Sequence, residues 1–266
     1  VDALSRKSGM SAAARLGASA VSVRAGAREL VRALSAEFNA REVIAVLGRN
    51  GSGKTLTLHT LAGLREPAEG LIALDGVAMP QLRRRALALR LGLLPQDLED
   101  AFVSTAIEMV LIGRHPHLSL WQWESARDER IAREALRAVD MEEFALRRTD
   151  TLSGGEQRRV AVAALLAQQP AIFLLDEPTN HLDPHHQLAV LTLFRALADC
   201  GSTVITTLHD PTLAARFADR VLLLFGDGRW SLGPVGTTLT AASLSELYAT
   251  PMIELGQDGR RVFVTA

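Results

Sequence analysis

Residues 152–183 read LSGGEQRRVAVAALLAQQPAIFLLDEPTNHLD. In the second half, the apolar run Ala171 to Leu175 ends in Asp176 and Glu177. This is the pattern of a buried strand that delivers two carboxylates to the edge of a sheet. One carboxylate can hold a metal and the other can polarise a water. In the first half, Ser153-Gly154-Gly155 precedes a helical pattern. N–H groups exposed at such a helix start suit an anion. Both halves therefore point to phosphate, and the helix-then-strand order points to an α/β fold.

Working outward, Arg41 to Leu47 (REVIAVL) is a near-continuous apolar run of the kind found in a central strand covered on both faces. It leads directly into Gly48, Arg49, Asn50, Gly51, Ser52, Gly53, Lys54 and Thr55, a complete GxxxxGK[ST] phosphate loop that opens a helix expected to reach about Gly63. The glycines let backbone N–H groups wrap phosphates, Lys54 reaches the β and γ oxygens, and the Thr55 hydroxyl can ligate Mg²⁺. Further strands are expected at Ala20 to Arg24, Leu71 to Leu74, Leu91 to Leu94, Ser202 to Leu208 and Val221 to Phe225. Lys54, Gln96, Asp176, Glu177 and His209 all follow such runs. In open α/β sheets, ligands gather outside the carboxyl ends of the strands, so these segments can converge on one nucleotide.

Other segments read as structure. Gln81 to Leu91 has helical composition, and Arg83, Arg84, Arg85 and Arg90 read as a solvated face. Between Asp97 and Asp150 the sequence becomes charged and helix-favouring, with Ile131, Ala135, Leu136 and Val139 on one apolar face, which marks a helical insertion. Trp121 and Trp123 read as packing or partner-contact residues. His115 and His117 have no ligand companions at metal spacing. Asp183 before Pro184 has the chemistry of a helix N-cap. After a hairpin turn at Phe225 to Arg229, a short helix from Ala241 to Tyr248 and a terminal strand RVFVT are expected.

The bulk composition agrees with a globular chain. The 266 residues are 48% hydrophobic, enough for a full core. The 29 basic and 30 acidic residues nearly cancel, which argues against a nucleic-acid partner. One cysteine, Cys200, permits no internal disulfide. Residues 1–18 read as a flexible tail in which Ser, Gly and Arg15 interrupt any signal-like apolar segment, and no window is apolar enough to span a membrane.

Taken together, the phosphate loop at 48–55, Gln96, LSGGE at 152–156, FLLDE at 173–177, NHLD at 180–183 and His209 resemble the nucleotide-binding subunit of an ATP-binding cassette (ABC) transporter over about residues 19–250. That resemblance implies a P-loop NTPase core of RecA-like type, an antiparallel β subdomain and an inserted α-helical subdomain. It implies an ATPase domain over 19–225, with the helical insertion at about 97–158, and a C-terminal extension of the same domain over 226–266. ATP and Mg²⁺ are the implied ligands. Lys54 would hold the phosphates, and Thr55, Gln96 and Asp176 would surround the metal. Glu177 would be the general base, Gln96 a γ-phosphate sensor that reports to a permease, and His209 the switch histidine. Ser153, Gly154 and Gly155 would cap nucleotide held by a second copy, with Asp183 across the interface of a head-to-tail dimer.

The stretch TAIEMVLIGRHPHL at 105–118 is similar to importers of iron siderophores, haem and cobalamin. That branch implies two permease subunits, a periplasmic or surface binding protein, a peripheral position on the cytoplasmic side of the membrane, and cobalamin or a ferric siderophore ahead of haem as cargo. One departure stands out. VSVRAGARE has Ala25 where the family usually stacks an aromatic residue on adenine, so Arg24 or Arg28 is expected to take that place by cation–π contact. A soluble cassette ATPase of translation or DNA repair is the rival reading. A single set of motifs and the lack of a heptad run weigh against it.

Overall fold

The computed structural model describes residues 15–97, 104–119, 121–257 and 260–266. Most of the expected tail, residues 1–14, lies outside them. The chain runs through β1 (Leu16–Ala25), β2 (Arg28–Phe38), β3 (Val43–Leu47), α1 (Lys54–Leu61), β4 (Glu69–Leu74), β5 (Val77–Ala78), α2 (Arg84–Ala88) and β6 (Leu91–Leu94). It continues with α3 (Ala106–Ile112), α4 (Ala126–Ala138), α5 (Gly154–Gln168), β7 (Ile172–Leu175), α6 (Pro184–Asp199), β8 (Thr203–Thr207), α7 (Pro211–Phe217) and β9 (Arg220–Leu224). The last elements are β10 (Trp230–Pro234), α8 (Val235–Thr238), α9 (Ala241–Tyr248), β11 (Met252–Gln257) and β12 (Arg260–Thr265).

A six-stranded sheet in the order β10-β9-β3-β8-β7-β6 forms the frame. Its five strands from β9 to β6 are mutually parallel, and β10 adds an antiparallel edge through a hairpin. Every residue of β3, β7 and β8 is buried, which explains why these strands read as apolar or β-branched runs without alternation. Parallel alignment brings the carboxyl ends of β3, β8, β7 and β6 to one edge, so consecutive strands emit the phosphate loop, His209, the Asp176–Glu177 pair and Gln96.

A second sheet, β2-β1-β4-β5, is antiparallel. β1 starts at Leu16, four residues before the expected Ala20, and pairs with β2 through register shifts near Ala20 and Ala33, both of which have positive φ. A shared core that includes Phe38, Leu34 and Leu58 joins this sheet to α1 and the parallel frame.

The helical insertion is built from α3, α4 and the first part of α5. Each begins with a reciprocal capping box, Thr105 with Glu108, Ser125 with Asp128 and Ser153 with Glu156. The predicted face Ile131, Ala135, Leu136 and Val139 is buried against Val110 and Val160. Beside it lies a buried ion pair between Arg114 and Asp128 at 3.0 Å, with Arg114 also donating to the Ala167 carbonyl at 2.6 Å. Burial pushes the Asp128 carboxyl up. Hydrogen bonds from the Ser125 hydroxyl and N–H, and the Arg114 guanidinium, outweigh this and hold it at about 2. Trp121 and Trp123 do not pack; they are 93% and 86% exposed.

The C-terminal segment packs on α7 and the β3–β9 part of the sheet, in a core that includes Phe217, Val221, Leu244 and Phe263. β11 and β12 form a two-stranded antiparallel hairpin, and the Phe263 N–H of β12 donates to Thr212 of α7 at 3.1 Å. Among the described residues, no helix is long and apolar enough to cross a membrane.

Candidate nucleotide site

The phosphate loop follows β3 without an intervening residue. Gly48 has no room for a side chain, because a Cβ there would collide with Ser52 Oγ and the Leu224 carbonyl. Gly51 and Gly53 have φ of 74° and 100°, which glycine adopts without cost, and α1 begins immediately after Gly53 with no side-chain cap. The first N–H groups of α1 are therefore free of side-chain competition and face the loop. Arg49 and Asn50 lie exposed at its tip.

Lys54 is 6% exposed, and its Nζ donates to the Gly48 carbonyl at 2.9 Å. Burial lowers its pKa, while the negative fields of Glu177 and Asp176 act in the opposite sense. The Thr55 hydroxyl donates to Gln96 Oε1 at 3.4 Å, so the start of α1 and the end of β6 meet.

Asp176 and Glu177 sit beside them and are more constrained than their sequence position suggests. Asp176 is wholly buried; its Oδ1 accepts from the Thr207 hydroxyl at 2.7 Å, and its Oδ2 has no partner among the described residues. Glu177 has φ of 48°, a left-handed conformation that costs roughly 1–2 kcal/mol in a residue bearing a Cβ. Its N–H donates to Thr207 Oγ1 at 2.7 Å, its Oε1 lies 2.6 Å from His209 Nε2, and its Oε2 accepts from Asn180 Nδ2.

Arg158 is a residue that sequence reading missed. It lies on α5 and is 3% exposed. Its guanidinium donates to the carbonyls of Pro95 (2.5 Å), Gln96 (3.2 Å), Asp176 (2.5 Å) and Glu177 (2.8 Å). One side chain thus ties the Gln96 segment to the carboxylate turn. Burial pulls its pKa down to about 10, against the fields of Asp176, Glu177 and Asp97, so it stays charged at neutral pH. The available signal was an arginine inside a helix one turn ahead of the apolar Val162, but its partners are backbone groups that composition does not reveal.

Ser153, Gly154, Gly155 and Asp183 form a separate group. Among the described residues they share no hydrogen bond with Lys54, Thr55, Asp176 or Glu177. Gly155 instead packs on His181, where a Cβ would stand 3.0 Å from the His181 carbonyl. Asp183 caps α6, accepting from the His186 N–H at 2.9 Å, and this bond holds its carboxyl below the usual range. His186 Nδ1 lies 2.9 Å from the other Asp183 oxygen.

Of the two candidate adenine contacts, Arg24 is engaged by Glu69 at 2.9 Å and Glu29 at 3.5 Å. Arg28 donates to the Gly226 carbonyl at 2.8 and 3.2 Å, and both Arg28 and Ser52 abut Gly226 beside the phosphate loop. His117 Nε2 bonds the Gln168 carbonyl at 2.8 Å. Among the described residues, no cluster of three or more His, Cys, Asp or Glu is placed to hold a metal. The residues nevertheless fit Mg²⁺, which binds protein through one or two oxygen groups and completes its shell with phosphates and water. The unpartnered, buried Asp176 Oδ2 and the Thr55 hydroxyl are such groups.

The family model described as ABC transporter matches residues 31–180, from β2 through the phosphate loop, LSGGE and the carboxylates to Asn180. The chain belongs to the ABC transporter family. It is an ATPase of that family. It is 42% identical over 216 residues to the hemin import ATP-binding protein HmuV of Gloeobacter violaceus, covering 79% of this chain and 78% of that one. The protein of the same name from Pseudomonas fluorescens is 39% identical over 236 residues, 87% of this chain and 91% of the relative. Among solved structures, an inward-facing ABC transporter described as of metal-chelate type aligns with a TM-score of 0.82 at 27% identity, covering 95% of this chain and 98% of that one. The dimeric cassette MJ0796 bound to ADP and Pi aligns at 0.70 and 28%, covering 81% and 97%.

Proposed function

We propose that two copies of this chain hydrolyse ATP beneath a pair of permease subunits and so drive import of a metal chelate. The observation that carries the reading is the convergence of Lys54, Thr55, Gln96, Asp176, Glu177 and His209 at one edge of the parallel sheet. The free N–H groups of the phosphate loop and the start of α1 receive the phosphates, and Lys54 exchanges the Gly48 carbonyl for phosphate oxygen. Thr55 and Asp176, with Gln96 beside them, hold Mg²⁺. When bound, the metal offsets the charge that develops on the phosphates. Glu177 takes the proton from the attacking water, and His209 orients the Glu177 carboxylate. The products are ADP and phosphate. Ser153 to Gly155 and Asp183 lie apart from this group because they serve the nucleotide of the second copy.

The ATPase domain spans 19–225, with 226–266 as its extension, and works peripherally at the cytoplasmic face of a membrane. It has no nucleic-acid partner, and a periplasmic or surface binding protein feeds the permease. For the cargo, the motifs place cobalamin or a ferric siderophore ahead of haem, whereas the names of the relatives support haem. Haem is therefore the favoured cargo. Deleting the gene and supplying iron as haemin or as a ferric siderophore, and separately supplying cobalamin, tests it. Loss of growth on haemin alone supports haem, and loss on one of the other chelates alone moves the assignment to that chelate. Unaltered use of all three overturns the import reading.

A further inference from the structure

We propose that Thr207, at the end of β8, is the positioning residue that sets both carboxylates of the ATPase site. The proposal rests on the assignment of Asp176 to the metal and Glu177 to the base.

Thr207 is 0% exposed, and its hydroxyl both donates and accepts. A hydroxyl has one proton to give and lone pairs to accept with. The Glu177 N–H can only donate, and at 2.7 Å it does so to Oγ1. The Asp176 carboxylate can only accept, and its Oδ1 lies 2.7 Å from the same Oγ1. The direction of both bonds is thus fixed by the groups themselves. With Oδ1 engaged by Thr207, the buried Oδ2 is, among the described residues, the oxygen of Asp176 left without a hydrogen bond. With its N–H held, Glu177 keeps the left-handed backbone that lets its carboxylate meet His209 rather than follow the strand direction. One side chain from a neighbouring strand therefore orients two adjacent residues that point to different tasks.

The buried neighbour Thr206 provides the internal control. Among the described residues its hydroxyl bonds the Thr207 carbonyl, at 3.4 Å, and neither carboxylate. Thr207→Val keeps the shape and removes both bonds, and Thr207→Ser restores the hydroxyl.

The test compares T207V, T207S, T206V and E177Q for kcat, KM, and the Mg²⁺ concentration that gives half-maximal binding of a fluorescent ATP analogue, a readout without turnover. T207V is expected to lower kcat about 10- to 100-fold and to raise the half-saturating Mg²⁺ about tenfold, as removal of outer-shell partners does. KM is expected to stay within about twofold, since uniform binding contacts are untouched. T207S is expected to recover most of both losses, and T206V to match the wild type. Should T207V fail to fold, T207S and T207C decide: a thiol is a poor donor and acceptor at similar size, so Cys falling well below Ser supports the proposal and equality overturns it. A T207V enzyme with normal kcat and Mg²⁺ response also overturns it, as does equal loss in T207V and T206V without rescue by serine. If E177Q retains normal turnover, the base assignment itself has failed, whatever T207V does.

Discussion

Two helices of this molecule begin beside glycine-rich turns, and they begin differently. α1 opens on Gly53 with no side-chain cap and no acidic residue in its first turn. α5 opens on Ser153, whose hydroxyl accepts the Glu156 N–H, while the Glu156 carboxylate accepts from the Ser153 N–H at 2.7 Å and its hydroxyl at 2.8 Å. The first helix leaves its N–H groups and the positive end of its dipole to an outside anion. The second already holds an anion, its own Glu156. The two starts thus differ in what they leave open, and in the proposed dimer the LSGGE turn would have to loosen an internal contact before receiving a phosphate from the second copy.

The largest effect expected lies on the α1 side. Glu177→Gln should lower kcat by about 10²–10⁴ while ATP binding persists, the range for removal of a general base. Phosphate release and equilibrium binding measured on the same preparation check this, and unimpaired turnover would show that the carboxylate pair is not what completes the α1 site. Next comes the link between the two regions. Arg158→Gln leaves the enclosed carbonyls of Asp176 and Glu177 short of a donor and should cost about 2–3 kcal/mol in urea unfolding. An unchanged midpoint would mean that α5 and the carboxylate turn are energetically independent.

Acid separates the capping boxes. Hydrogen bonds from the Ser153 N–H and hydroxyl hold Glu156 below its ordinary value, and Asp128 is held at about 2. Both folded pKa values are depressed, so each box adds stability above the ordinary carboxylate range and loses it as pH falls through its folded value. The protection factor of the Glu156 amide should fall first as pH drops through the carboxylate range, with that of Asp128 held until nearer pH 2. The reverse order would remove the distinction between an exposed, openable box and an enclosed one.

Smaller effects sharpen the contrast. Glu156→Gln keeps a capping box but removes its charge. In a Glu177→Gln background it should tighten the ATP-dependent dimer about two- to fivefold, the scale of one charge at a helix start. Sedimentation with and without ATP reads this, and weaker association would mean that the carboxylate is no obstacle to the incoming phosphate. Last, Arg28→Ala should weaken ATP binding about two- to fivefold, as for an exposed cation–π contact. Arg24→Ala, whose guanidinium is already engaged by Glu29 and Glu69, should not.

Much of this was legible in the sequence because buried parallel strands advertise themselves. β3, β7 and β8 read as apolar or β-branched runs, and the residues following them occupy the shared edge. β2 was not legible. Its RELVRALSAEF is rich in helix-favouring Arg, Glu, Leu and Ala, and pairing with β1 overrides that preference. Likewise Gln81 to Leu91 suggested a longer helix than the five residues of α2, because β6 claims its end. β11 went unread because Glu254 and Gly256 break up its short MIELGQ run, and only its partner β12 carries a strand pattern. Arg158 and Thr207 escaped notice for one reason: their partners are backbone atoms or carboxylates brought close by the fold, with sequence separations of 18 to 63 residues.

The place of β6 in the sheet has a mechanical consequence. Among the described residues it is an edge strand, laddered to β7, whereas β3 is laddered on both sides by β8 and β9. Displacing the segment that carries Gln96 breaks one ladder, and displacing the strand that feeds the phosphate loop breaks two. The sheet is therefore a stiff plate with one compliant margin. A load applied at that margin reaches Asp176 and Glu177 through the Arg158 guanidinium before it strains the seat of the phosphates.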